Sequence, residues 1–134
     1  MGPNTQVAFV LPTHNAQELF RISSEEAKSI LVEGYRFSIN GHVYFYHKSI
    51  DWNREQSPGV SEIWNYIVDL ELKSNGHDAK KHCYLELGAD DEDVTIFGDI
   101  SKFDLVFQKS IILPDIETVS HRTLNTYEHM MEAA

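Results

Sequence analysis

Seven histidines and one cysteine are the residues with the widest chemical reach in this chain. Their spacing argues against a shared metal. His42 and His47 stand five apart on one predicted strand and so point to opposite faces. His77, His82 and Cys83 share a second predicted strand, where the adjacent pair again diverges. His121 and His129 are eight apart on a predicted helix, which is not the i, i+4 spacing of a metalloprotease helix. A structural zinc needs four convergent donors, and no such set is expected here. Nucleophilic catalysis has no signature either. There is no G-x-S-x-G, and Cys83 is predicted on an apolar face, where a thiol behaves as a small hydrophobe. No glycine-rich loop precedes a helix to cradle a phosphate. Carboxylate pairs are frequent, but nothing marks one as a desolvated acid/base pair. The expectation is no catalytic residue, no metal and no cofactor.

Negative charge beside large aromatics is the stronger feature. Asp90, Asp91, Glu92 and Asp93 fall on one turn, with Asp99 and Asp104 shortly after. Asp51-Trp52 lies in the polar loop Ser49–Gly59, beside Asn53, Arg54 and Glu55. The plain reading of the acidic run is a solvated turn. The functional reading is a docking patch for a basic partner, with carboxylates speeding association and Trp52 supplying the anchoring contact. Eleven Lys and Arg against 21 Asp and Glu give a net charge of −10. Such a surface repels phosphate backbones and anionic lipid, so neither nucleic acid nor membrane is an expected partner.

The elements that must position these groups are those of one domain, residues 1–134. That length buries roughly two-thirds of the unfolded surface in a single core. No apolar run reaches membrane-spanning length, and MGPNTQVAFVLPTHN lacks the basic and apolar regions of a signal peptide. A lone cysteine fits a reducing, cytoplasmic compartment. Gln6–Leu11 is predicted as a strand closed by Pro12. Ser23 or Ser24 caps a short helix near residues 24–33 that ends at Gly34. In GYRFSI-NG-HVYFYH, Asn40-Gly41 forms a two-residue turn that pairs Ile39 with His42, Phe37 with Tyr44 and Tyr35 with Tyr46.

A second hairpin is predicted about Asn75-Gly76, from Ile63–Lys73 and Asp78–Leu87. It would pair Lys73 with Asp78, Glu71 with Lys80 and Asp69 with His82 on an exposed face with Tyr84 and Glu86. Trp64, Tyr66, Val68, Leu70 and Leu72 would line the apolar face, with Cys83, Leu85 and Leu87. Val94–Phe97 reads as a short strand. Phe103–Leu113 also reads as strand, although Ile100, Phe103, Phe107 and Ile111 fit a helix too. Asp115 caps a C-terminal helix, Ile116–Met131, within residues 115–131. The fold class is α+β, a mainly antiparallel sheet of about six strands built from hairpins with two helices.

The runs YRFSINGHVYFYHKSIDW, EIWNYIVDLELKSNGHDAKKHCYLEL and DVTIFGDI carry a resemblance. In their order the chain resembles immunity proteins of the bacterial polymorphic-toxin and contact-dependent growth-inhibition systems, from about Tyr35 to Ile112. The resemblance implies inhibition of one cognate toxin domain, often a basic nuclease, in the cytoplasm of the producing cell. It transfers no individual site residue. The alternative is a small enzyme or ligand-binding domain that uses the aromatic face of the first hairpin as a pocket.

Overall fold

The run Thr5–Pro12 is apolar at nearly every position, and a strand of that kind is stable only where both its faces are covered. In the computed structural model, which describes residues 5–74, 81–88, 93–107 and 111–114, this run is β1, the middle of a five-stranded sheet. Around it the chain lays down α1 (Thr13–Ile22), α2 (Glu25–Glu33), β2 (Tyr35–Ile39), β3 (His42–Ile50), α3 (Pro58–Lys73), β4 (Cys83–Leu87) and β5 (Val94–Gly98). A 3-10 turn, Ile100–Phe103, and two short strands, β6 (Val106–Phe107) and β7 (Ile111–Ile112), follow. The spatial order is β2-β3-β1-β4-β5, and each pairing is antiparallel. The sheet is therefore the α+β arrangement expected, with five strands rather than six and β6–β7 as a separate small ladder.

The first hairpin has the predicted register. Asn40 and Gly41 both take positive φ (50° and 80°), and Ile39, Phe37 and Tyr35 face His42, Tyr44 and Tyr46. Phe37 and Tyr44 stack at 4.9 Å between ring centroids. The helix after Ser24 is also as predicted: Ser24 Oγ accepts from the Ala27 N–H, and Gly34 is the C-cap.

Several expectations are corrected. Ile63–Lys73 is not a strand but the body of α3. Its apolar residues also repeat at helical spacing, and the positions buried are Val60, Ile63 and Ile67, while Leu72 faces solvent. Asp69 consequently pairs with Lys73 one helical turn away, at 2.8 Å, and His82 Nε2 lies 2.8 Å from Glu71 Oε2 rather than opposite Asp69. β4 pairs with β1 and β5 along its edges, and all five of its residues are buried, so its two faces are both interior. Tyr84 and Glu86, expected at the surface, are completely buried under the helices. The segment Phe103–Leu113 divides into the end of the 3-10 turn and the two short strands. Thr13–Ile22 adds a helix beyond the two expected, α1. The Asn75-Gly76 turn and the helix Ile116–Met131 lie outside the described residues.

One face of the sheet carries the helices, whose Leu19, Leu31 and Ile63 join Trp52 in one core with Phe9, Phe45 and Tyr84 of the sheet. The other carries Phe103, Leu105 and Ile111 over Val10, Phe37, Cys83 and Leu85. The helices are tied to each other by exchanged carboxylates. Glu26 of α2 accepts from Ser57 Oγ (3.2 Å) and the Gly59 N–H (2.9 Å) at the start of α3. Glu62 of α3 accepts from the Ser24 N–H (2.9 Å) and Ser24 Oγ at the start of α2. Each carboxylate thus satisfies orphan donors at the positive end of the other helix. Tyr66 Oη, donating to Glu18 Oε1 at 2.7 Å and accepting from Asn15 Nδ2 at 3.1 Å, joins α3 to α1.

Replacing Glu26 or Glu62 by Ala should lower stability by about 1 kcal/mol each, the ordinary cost of a lost helix cap. Chemical denaturation of both variants checks this. Indistinguishable midpoints would show that solvent supplies these caps equally well.

Candidate partner-binding surface

Of the predicted acidic residues that are described, Asp93 and Asp99 stand at the two ends of β5 and Asp104 at the end of the 3-10 turn that follows. Asp93 enters the strand and is exposed, and its carbonyl accepts from the Gly88 N–H at 2.8 Å. Asp99 follows the strand and caps the 3-10 turn, with Oδ1 accepting from the Ser101 N–H (3.1 Å) and Ser101 Oγ (2.6 Å). These hydrogen bonds hold its carboxyl below the usual carboxylate range. Asp104 ends that turn with φ +59°, a left-handed position that Asp tolerates, and it too is exposed. Between them, Ile96 is 46% exposed, while Phe97 turns inward onto Trp64 and Tyr84. Gly98 makes the corner possible. Its φ is +72°, and a Cβ there would stand 2.4 Å from the His82 carbonyl oxygen. Asp90, Asp91 and Glu92 lie outside the described residues.

Trp52 is not placed at this surface. It is 0% exposed, and its indole N–H donates to Tyr84 Oη at 2.9 Å. Tyr84 Oη donates in turn to Glu86, a completely buried carboxylate whose Oε2 lies 3.6 Å from Arg54 Nη2. The Arg54 guanidinium lies over Trp64, 3.8 Å from the ring centroid. Burial and the neighbouring carboxylate push the Tyr84 phenol far up, so it remains a neutral donor. The loop that looked like an exposed aromatic anchor is instead pinned into the core by a chain of hydrogen bonds and an ion pair. The polar neighbours of Trp52 gave no sign of this, because Tyr84 and Glu86 are more than thirty residues away.

Among the described residues no group of three or more His, Cys, Asp or Glu could hold a metal ion. Cys83 is buried, and burial pushes its thiol up to about 12, so it is protonated and inert at neutral pH. Glu71 holds His82, and His42 packs edge-on to Phe103 at 5.1 Å. No helix among the described residues is long and apolar enough to cross a membrane.

A second concave feature lies at the start of the first hairpin. It is an open cleft of about 660 Å³ lined by residues that include Tyr35, Arg36, Tyr46, His47 and Lys48. Tyr35 is 62% exposed, and Tyr46 Oη donates to Gln6 Oε1 at 3.3 Å. His47 is buried at its floor. No protein-family model, curated protein or solved structure matches the chain.

Burial lowers the His47 pKa from its ordinary 6.5, against smaller opposing effects of a backbone bond at Ile30 and the charge of Glu33. The folded state therefore favours the neutral ring, while the unfolded chain takes up a proton first. The stability that His47 contributes is complete above the unfolded pKa and is lost as pH falls through the depressed folded value. Thermal midpoints measured from about pH 7.5 to about pH 5 should fall less steeply for His47→Phe than for the parent chain. Parallel curves would show that this imidazole titrates alike in both states.

Proposed function

We propose that this protein is an immunity-type inhibitor that binds and neutralises a cognate basic toxin domain, most simply a nuclease, in the cytoplasm of the cell that makes it. The observation that carries the reading is the bracketing of β5 by exposed carboxylates, Asp93 at one end and Asp99 at the other, with Asp104 exposed at the end of the following 3-10 turn, on a chain of net charge −10. A surface of that sign focuses the field toward a partner that itself binds phosphate backbones. Ile96, exposed between the acids, supplies apolar contact area where Trp52 does not. The Asp90–Glu92 run adjoins Asp93 in sequence and adds to the same charge.

A small-molecule reading rests on one feature, the cleft beside Tyr35, Tyr46 and His47, whose volume falls in the range of ligand pockets. Its opening to solvent and the tying of Arg36 to the Val32 and Gly34 carbonyls weigh against it, because the guanidinium serves the end of α2.

The test pairs this chain with the toxin domain encoded beside it, using growth rescue and association kinetics. The triple variant Asp93→Asn, Asp99→Asn, Asp104→Asn keeps the cap and the left-handed position, since Asn serves both. Association should slow by about tenfold at low salt and lose much of its salt dependence, with dissociation little changed. Unaltered kinetics in a folded triple variant would place the interface elsewhere. Absence of toxin binding together with saturable binding of a small molecule in the cleft would favour the second reading.

A further inference from the structure

We infer that β5 is a docking edge that takes an extended basic segment of a partner as an added antiparallel strand. The inference rests on the partner-binding reading above and gives its mode. Among the described residues β5 has β4 as its one neighbour and ends the sheet. The Gly88 N–H donates to the Asp93 carbonyl, which makes those two residues a hydrogen-bonded pair. Such pairs alternate along an antiparallel ladder, and Glu86 faces Thr95 while Tyr84 faces Phe97. Thr95 and Phe97 therefore direct their backbone groups to β4, and Val94 and Ile96 direct theirs away from it. Two N–H and two C=O groups are thus presented along a strand whose exposed side chain is Ile96. Unpaired edges of this kind are templates for another strand.

Charge decides the occupant. In a second copy paired antiparallel about Ile96, Asp93 of each chain would stand opposite Asp99 of the other, so like charges would meet twice. The carboxylates therefore disfavour self-pairing, and the same placement favours a strand with Lys or Arg at both ends. The extended part, Val94–Gly98, spans about 15 Å, with Asp93 just before it and Asp99 just past the Gly98 corner. The opposite edge, β2, carries mixed charge instead: Arg36 lies on it, and Lys48 and Glu33 line the adjoining cleft.

The probe is the synthetic peptide Lys-Val-Thr-Val-Thr-Val-Lys, whose lysines meet Asp99 and Asp93 when a valine faces Ile96. Amide exchange is followed by NMR on the whole chain. With millimolar peptide, the Val94 and Ile96 amides should exchange about tenfold more slowly. The protection should fade with added salt and in Asp93→Asn, Asp99→Asn. Ile96→Pro removes the outward N–H at a position where an edge strand tolerates proline, and it should abolish the effect. If that variant does not fold, the aspartate variant and the salt series still decide.

Three outcomes overturn the inference: no protection by the peptide, equal protection by a peptide with Thr in place of both Lys, or protection that depends on protein concentration without peptide. The last would identify a second copy as the occupant. Because the assay contains no toxin, failure here leaves inhibition through another surface standing. Peptide protection without any toxin binding would remove the proposed function and leave the docking edge.

Discussion

The double burial of β1 is the constraint on which the rest of this structure depends. Seven of its eight residues are buried, so it must have a strand on each side and a layer on each face. The hairpin β2–β3 fills one side and β4–β5 the other. The helices cover one face, and Ile100, Phe103, Leu105, Ile111 and Leu113 cover the second. Stacking of Phe9 on Phe45, at 4.7 Å between centroids, and burial of Val7 and Leu11 complete the helical side. Once β1 is central, β2 and β5 are the edges, and the chemistry available at the rim follows from what flanks them.

A second constraint acts on the loop between β3 and α3. Glu86 is a completely buried carboxyl group, and a buried polar group needs partners to be tolerated. Arg54 and the Tyr84 hydroxyl provide them, and Trp52 orients that hydroxyl by donating to it. The arrangement is weak grounds for assigning stability, since an apolar replacement of the whole set can be as stable. Its plainer effect is positional. The loop residues 52 and 54 cannot move independently of β4, so the entry to α3 is fixed relative to the sheet.

Local signals were legible where a short-range device settles the structure. Asn40-Gly41 determines its hairpin and register by turn geometry, and Ser24 with Gly34 brackets α2 by capping. The run from Ile63 to Lys73 was ambiguous because Trp64, Tyr66, Val68, Leu70 and Leu72 alternate while Val60, Ile63 and Ile67 repeat at helical spacing. The Ser57-Pro58 pair at its start, an N-cap followed by proline in the first turn, was the available deciding signal. Burial of Trp52 and Glu86 was not legible, because it depends on a meeting between residues 52, 54, 84 and 86 that only the tertiary fold creates. The acidity around β5 was readable from composition. That β5 is an edge was not, since strand order is a property of the whole sheet.

The exchanged carboxylates of α2 and α3 bear on modularity. Each helix has its own serine N-cap and takes a further carboxylate from the other, so the start of neither is complete in its own sequence. A graft of α3 alone into another scaffold leaves Ser57 and Gly59 without Glu26, and a shuffled α2 leaves Ser24 without Glu62. Any piece exchanged between proteins must therefore keep both helices, and it must also keep what residues 24 to 73 lean on outside themselves: β1 beside β3, β4 under Trp52 and Arg54, and α1 against Tyr66. A change in one partner of such a pair therefore weakens the start of the other helix as well as its own element.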